Sequence, residues 1–499
     1  MEPCMHILPS NAEEHFNIGR DLILAGNNVS AVQSLAKAIK LQPDYFAAYY
    51  QLGALQQSLG DLNAAKAWYL LALRCSMVRS TIYVDLGVLC AEMGQEEEAG
   101  RYFLRALEGE PLDCVGYLKV GVGLVRMGLL TQAMETLGRS IELAPSANAW
   151  CELGVCHFQL CNPIAAVASY RKALRCDPEY VPAHANLGLT LLLQGNYEEG
   201  FEEFDWRLKA KVKNFYHMGG FQAPLWRGEP LEEKTILIHA EQGFGDTLQF
   251  LRYVPMVAAR GARVLLAVQP TLHRLVTGYP GVSECISIAE KLPDIDFHCP
   301  LMSLPRVFGT TLASIPGVVP IGPRQGRNDR AVRCDPGVGD RTLQVGLVWA
   351  GNPKHLTDSK RSLQLKHFVE LGGLGDAVSF VSLQHGAAVK QLTQGDVPFA
   401  IRDACSTVRD FADTAEIVAG LDLVITVDTA LAHLAGCMGK PVWVLLGAVP
   451  EWRWALEGET TPWYPTMQLF RVEELGGWAE LMKIVAAELR EFRVSRWDI

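Results

Sequence analysis

Two stretches of this sequence place acidic and small residues where a buried strand would give way to a helix. The first, KTILIHAEQGFGDTLQFLRYVP from Lys234 to Pro255, carries Asp246 just after Gly243 and Gly245. The second, LDLVITVDTALAHLAGCMGKPVWVLLG from Leu421 to Gly447, carries Asp428, Thr429, Ala430 and His433. A helix that starts at such a junction aims unpaired N–H groups and partial positive charge beyond the strand end. Open α/β sheets bind ligands along that edge. A carboxylate there can take a proton from a hydroxyl, and free N–H groups with a neighbouring hydroxyl can hold phosphate. Two junctions in successive α/β segments predict a cleft between two Rossmann-like units, with a phosphate-bearing ligand inside it.

Each residue also has an ordinary explanation. Asp246, with Gln249 three residues later, reads as a capping box; the functional alternative is a base, with the paired glycines letting a substrate approach the backbone. Asp428 or Thr429 would cap the second helix and His433 would be a packed residue. Otherwise the N–H groups around Ala430 and the Thr429 hydroxyl hold a phosphate, while Asp428 accepts hydrogen bonds from another part of the ligand and His433 faces it. The loop NPKHLTDSKRSL offers cations, Lys360 and Arg361 with Lys354 as a rival, that are either only solvated or could neutralise a phosphate. Gln384 and the stretch Trp349 to Asn352 end strands and would meet the ligand at the sheet edge or make ordinary loop contacts. The aromatics of EWRW, Glu451 to Trp454, would line a pocket or only pack.

Two metal-like patterns are set aside. Asp294-Ile295-Asp296 lies away from both junctions. Cys151, Cys156, His157 and Cys161 look clustered, but steps of five residues turn a helix by about 140°, so the three cysteines diverge. No metal or other cofactor is predicted.

The elements that must position these residues begin with a repeat. An apolar residue followed by glycine recurs at Gly19, Gly53, Gly87, Gly121, Gly154 and Gly188, with intervals of 34, 34, 34, 33 and 34. Alanine follows twelve residues after five of them, at Ala31, Ala65, Ala99, Ala133 and Ala166. Leu35, Tyr69, Phe103, Leu137 and Tyr170 stand four further on, and Pro43, Pro111, Pro145 and Pro178 close units. This resembles the tetratricopeptide repeat over roughly the first 210 residues. Helix pairs of that kind stack into a solenoid with a concave groove. The sixth unit departs from the pattern, with Gly200 in place of alanine, and is expected to dock onto the next domain.

After an irregular stretch near Phe215 to Pro230, strand-like and helix-like runs alternate. TILIHA, RVLLAVQ and CISIA form one α/β unit, with a helix from Gln249 to Ala259. A polar, Gly-rich loop from Gly322 to Arg341 precedes QVGLVWAG, VSFVSLQHG, LDLVITVD and PVWVLLG, and a helix from Trp478 to Arg493 ends the pattern. HAEQGFGDTLQF and VDTALAHLAG resemble motifs of bacterial heptosyltransferase-like enzymes, and the order of repeats then catalytic half is similar to protein O-GlcNAc transferase. The resemblance implies an all-α tetratricopeptide solenoid followed by an α/β GT-B fold whose last helix crosses back to the first unit. The boundaries are 11–212 for the solenoid, 213–233 for a linker, 234–325 and 342–477 for the two Rossmann-like units, and 478–495 for a closing helix.

The resemblance also implies a metal-independent glycosyltransferase with a nucleotide-diphosphate sugar as donor. Asp246 would be the base. Gly243, Gly245, Asn352, Lys360, Arg361, Gln384, Asp428, Thr429, Ala430 and His433 would form the donor site, with Lys360 foremost at the leaving group. A protein or peptide acceptor in the repeat groove is expected. A lipopolysaccharide or glycan acceptor, and an inactive scaffold, are the other readings.

The totals agree with that class. With 499 residues, 49% of them hydrophobic and 20% charged, the chain is expected to form two or three domains with real cores. A net charge of −10 argues against a nucleic-acid surface. The start, MEPCMHILPSNAEEHF, shows no basic region before an apolar one, and no apolar run reaches membrane-spanning length. The 13 cysteines contain no CxxC pair and are expected to be reduced. A cytoplasmic protein, with its oligomeric state left open, is the expectation.

Overall fold

The computed structural model describes residues 11–75, 80–209, 222–287, 294–322, 342–355, 358–394, 399–473 and 476–497. The expected loop at 322–341, all but Gly322, and much of the expected linker therefore lie outside the described residues. The chain divides into two compact units, 1–183 and 184–499.

The first unit is a series of antiparallel helix pairs: α1 (Ala12–Leu24) with α2 (Asn28–Leu41), α3 (Phe46–Ser58) with α4 (Leu62–Cys75), α5 (Ser80–Glu92) with α6 (Glu96–Glu108), α7 (Cys114–Arg126) with α8 (Leu130–Leu143), and α9 (Ala147–Gln159) with α10 (Pro163–Cys176). The repeat glycines have a steric cause. A Cβ on Gly53 would lie 2.6 Å from the Tyr69 ring, and one on Gly121 would lie 2.6 Å from Leu137. Gly19, Gly87 and Gly154 face Leu35, Phe103 and Tyr170 in the same way, always sixteen residues on. The paired alanines, Ala31, Ala65, Ala99, Ala133 and Ala166, are buried. Small residues thus let each pair cross closely around one large side chain. Cys151 and Cys156 are buried in α9, and Cys161 is exposed in the turn beyond it.

The second unit begins with the sixth helix pair, α11 (Val181–Leu193, whose first turn straddles the division) and α12 (Tyr197–Phe204). The sequence reading ran the solenoid to 212. The physical reason for the earlier division is that this pair packs against residues of the α/β part of the chain. The Trp463 indole N–H donates to the Tyr197 hydroxyl at 3.0 Å, and the Phe201 and Trp452 rings meet edge to face at 5.7 Å. The two glycines of this pair serve a closer crossing: a Cβ on Gly188 would meet the Phe204 backbone nitrogen at 2.5 Å, and one on Gly200 would meet Leu192 at 2.9 Å.

Next come β1 (Thr235–His239), α13 (Phe244–Phe250), α14 (Val254–Ala258), β2 (Arg263–Val268), α15 (Pro270–Val276), β3 (Glu284–Ser287), β4 (Phe297–Pro300) and α16 (Leu304–Val307). The described strands form a parallel sheet in the order β3-β2-β1-β4. The second set is β5 (Leu343–Val348), α17 (Asp358–Arg361), β6 (Val378–Ser382), α18 (Gln391–Gln394), β7 (Ile401–Asp403), α19 (Phe411–Ala419), β8 (Leu423–Val427), α20 (Ala430–Cys437), β9 (Val442–Leu446), β10 (Met467–Arg471) and α21 (Trp478–Trp497). Its described strands form a parallel sheet in the order β10-β9-β8-β5-β6-β7. The central strands are buried along their length, as a sheet covered on both faces requires.

The structure departs from the sequence reading in several elements. The helix expected from Gln249 to Ala259 is α13 and α14 separated by a 3-10 turn at Leu251–Tyr253, with Pro255 in the first turn of α14. β4, β7 and β10 were not anticipated. The final helix does not carry its apolar face to the first sheet: Leu481, Met482, Val485 and Leu489 join the core of the second, with Trp443 and Phe470. Before β1, Trp226 is buried and its backbone N–H bonds to His298 of β4 at 2.8 Å, so this part of the connecting segment is fastened to the sheet.

Candidate active site

Both strand-helix junctions open onto one cavity of about 1030 Å3, within the second unit. From the first sheet come Glu241 to Asp246, after β1. From the second come Val348, Ala350 to His355 after β5, Leu383 to Gly386 after β6, Val408 to Phe411 before α19, Asp428 to Leu431 and His433 after β8, and Glu451 to Arg453 after β9. Leu189 and Phe204 of the sixth helix pair close part of the wall.

The capping box lies three residues earlier than expected: Gly243 is the N-cap of α13 and Asp246, in its first turn, accepts from the Gly243 N–H through Oδ2 at 2.9 Å, while Gln249 bonds elsewhere. Its Oδ1 accepts from Arg453 Nη2, which reaches it from the opposite wall. Gly245 is bare because His433 packs there, and a Cβ would lie 2.7 Å from the imidazole Cδ2. The glycine thus serves the meeting of the two junctions. His433 itself is buried, bonded through Nδ1 to the Tyr464 hydroxyl at 2.9 Å and stacked on Trp454 at 5.4 Å. Burial, with Arg453 and Arg252 nearby, holds its pKa well below the usual imidazole value.

Thr429 caps α20, accepting from the Leu431 N–H at 3.3 Å, and its hydroxyl pairs with that of Thr426 at 3.0 Å. Asp428, just before it, is buried. Burial pushes its carboxyl above the ordinary range, and Arg361 and Arg453 pull it back. Ala430 lines the cavity beside them.

The basic loop sorts differently from the expectation. Arg361 and Lys354 line the cavity, whereas Lys360 is not among the lining residues. Lys360 belongs to the single turn of α17, whose backbone packs on Gly447: a Cβ there would lie 2.5 Å from the Lys360 carbonyl oxygen. Asn352 lines the cavity and accepts from the Lys354 N–H at 3.1 Å. Gln384 is buried at the cavity edge with its amide engaged by backbone: Oε1 accepts from the N–H groups of Trp349 and Ala350 at 3.0 and 2.9 Å, and Nε2 donates to the Ala350 and His385 carbonyls at 2.9 Å. It holds two strand ends together. The Asp294-Ile295-Asp296 pattern lies off the site: Asp296 accepts from the Thr235 N–H at 2.8 Å, at the start of β1 and away from the cavity edge.

Three features escaped the sequence reading. Arg453 is one; EWRW drew notice for its aromatics, though an arginine within a buried aromatic run needs an acidic partner. Glu241 is the second, in a buried ion pair with Arg207 beyond α12. The third is the seam that α15 and α13 make with the start of α19, where Arg274 of α15 donates to both oxygens of Asp410 at 2.8 and 2.6 Å, and Phe244 of α13 meets Phe411 at 5.1 Å. Nothing in a single sequence announces a salt bridge between residues 136 apart.

Comparisons with known proteins match both the repeats, up to and including the sixth helix pair, and part of the second α/β set. Tetratricopeptide repeat families match residues 46–74, 80–111, 147–180 and 169–202. Glycosyltransferase family 9 (heptosyltransferase) matches residues 401–480, which hold Asp428 to His433 and Glu451 to Arg453 but not the first junction. Protein FlbA of Caulobacter vibrioides is 26% identical over 387 residues, 71% of this chain and 63% of FlbA, so the chain spans less than two thirds of that relative. Among solved structures, the TPR protein YrrB is 23% identical over 38% of this chain and 95% of its own, with a TM-score of 0.32. The type IV pilus biogenesis factor PilW is 19% identical over 40% and 93%, with a TM-score of 0.36. The N-terminal part of the chain thus matches tetratricopeptide repeats, and residues 401–480 of its C-terminal part match glycosyltransferase family 9 (heptosyltransferase).

Proposed function

We propose that the protein is a GT-B-type glycosyltransferase that moves a sugar from a nucleotide-diphosphate donor to a hydroxyl acceptor, and that the acceptor is a protein. The observation that carries this reading is the convergence of both junctions on one cavity, the second lying inside the family 9 match. The donor would lie against the second sheet, its diphosphate at the first turn of α20 with the Thr429 hydroxyl. Arg361 and Lys354 would supply the counter-charge. These replace Lys360 as the favoured cations, because they line the cavity. The protein's own cations suffice, so the proposal includes no metal ion. Asp428 would accept hydrogen bonds from the sugar.

In the transfer, the acceptor oxygen attacks the anomeric carbon. The bond from that carbon to the diphosphate oxygen breaks, its electron pair leaves with the nucleotide, and the acceptor proton passes to Asp246. One base and one displacement complete the reaction. The repeats favour a protein acceptor. The heptosyltransferase description of the matched family favours a second reading, a glycan acceptor.

Release of nucleoside diphosphate from a panel of sugar nucleotides tests the chemistry. Asp246→Asn should lower turnover by roughly 100-fold or more, the scale of a lost general base, in protein shown to be folded by its own melting transition, which should fall because the buried Arg453 loses a charge partner. Turnover equal to the parent would sink the assignment. A chelator should leave the parent rate unchanged; loss of activity restored by a divalent cation would contradict the metal-free proposal.

A further inference from the structure

Arg453 lies in the 3-10 turn Trp452–Trp454 after β9, on the second sheet's side of the cavity, and its guanidinium reaches the first. Nε donates to Gln249 Oε1 and Nη2 to Asp246 Oδ1, both on α13, while Nη1 donates to Glu451 Oε2 at 2.8 Å on its own side. The side chain is 9% exposed. A cation so buried must be paired, and the guanidinium fork can hold an amide, a carboxylate and a second carboxylate at once. Asp246 is thereby gripped twice, by its own helix through Gly243 and by the opposite wall through Arg453.

We propose that Arg453 is a positioning residue for the transfer reaction: it fixes the Asp246 carboxylate of the first half against the donor-side wall of the second. The base then stands at a set distance from the anomeric carbon. This rests on the reading of Asp246 as the base. Direct binding of the diphosphate by Arg453 fits the surroundings less well. Its near neighbours are Asp246, Glu451 and Asp428, three carboxylates that would repel a phosphate brought to the guanidinium.

The test compares the parent with Arg453→Lys, Arg453→Gln, Asp246→Asn and the double variant Asp246→Asn/Arg453→Lys. The probe is whichever UDP-, GDP-, ADP- or dTDP-sugar stabilises the parent, and nucleotide release to water is read with donor Kd and melting temperature. Arg453→Lys keeps the charge and serves if Arg453→Gln does not fold. A misplaced catalytic group costs on the order of 100-fold, so kcat should fall by about that factor with donor Kd within about 3-fold. Groups acting as a unit are not additive, so the double variant should be no slower than Asp246→Asn. Donor Kd weakened about 10-fold or more with kcat intact, or multiplicative losses in the double variant, would overturn the proposal. A parent that releases no nucleotide from any donor would sink the function itself. An active parent with indifferent Arg453 variants would sink only this inference.

Discussion

At the residue scale, the site shows how one side chain serves fold and chemistry together. Asp246 was legible as a residue of a capped strand-end helix, but not its place in the cap: Gly243 is the N-cap and Asp246 the third residue that bonds back to it. Arg453 was not legible, since its partners Asp246 and Gln249 are more than 200 positions away in sequence. Gly245 was legible as a close approach, but only the structure identifies the visitor as His433. Beneath the first junction, His239 is buried beside His298, with Nε2 and Nδ1 3.3 Å apart, and burial followed by the neighbouring imidazole brings its pKa down to about 3. The folded protein therefore refuses a proton that the unfolded chain accepts below pH 6.5. Stability from this residue is complete above that pH and declines as the pH falls toward 3. By pH 5 the loss should be on the order of 2 kcal/mol. Urea unfolding of the parent and of His239→Gln at pH 7.5 and pH 5 measures it: the variant should lose less stability on acidification, and equal losses would contradict the burial argument.

At the element scale, the repeats were readable because their period is enforced by contacts between glycine and a large side chain within each unit. Both partners sit in one local stretch of sequence. The long core strands β5, β6, β8 and β9 were readable as apolar runs for the same reason. β4, β7 and β10 were not, because FHCP, IRD and MQLFR are short or polar and become strands only by pairing with neighbours already in place. One irregularity offers a test. The turn between the helices of each pair is made by a residue with positive φ, namely Gly26, Gly60, Gly94, Gly128 and Gly195, but in the fifth pair by Cys161 at φ 57°. A side chain in that conformation costs about 1–2 kcal/mol, part of which glycine gives back as unfolded-state entropy. Cys161→Gly should therefore stabilise by roughly 0.5–1 kcal/mol, read as a higher melting temperature. An unchanged or lower value would show that Cys161 holds contacts worth as much as the strain.

At the scale of the whole molecule, the division at 183/184 makes the sixth helix pair part of the α/β unit. The reason is chemical: Arg207, just beyond α12, is ion-paired with Glu241 on the cavity wall, both side chains 4% exposed. Removing one partner of such a pair costs about 3–5 kcal/mol. A fragment starting at residue 178 should unfold cooperatively, whereas one starting at 213 should be destabilised by at least that amount or fail to fold. Equal stability of the two would contradict the assignment of α11 and α12 to the second unit. The sequence reading drew the border at 212 because the 34-residue period continues to that point, and a period does not report which neighbour a helix pair packs against. The central claim, a sugar-nucleotide site at the second junction, is tested most directly by donor binding. Thermal unfolding of the parent and of Asp428→Asn should be followed with UDP-, GDP-, ADP- and dTDP-sugars. At a hundred times Kd a donor contributes about 2.7 kcal/mol, so one donor class should raise the parent's melting temperature, with the rise reduced or lost in the variant. No rise with any sugar nucleotide would contradict the account.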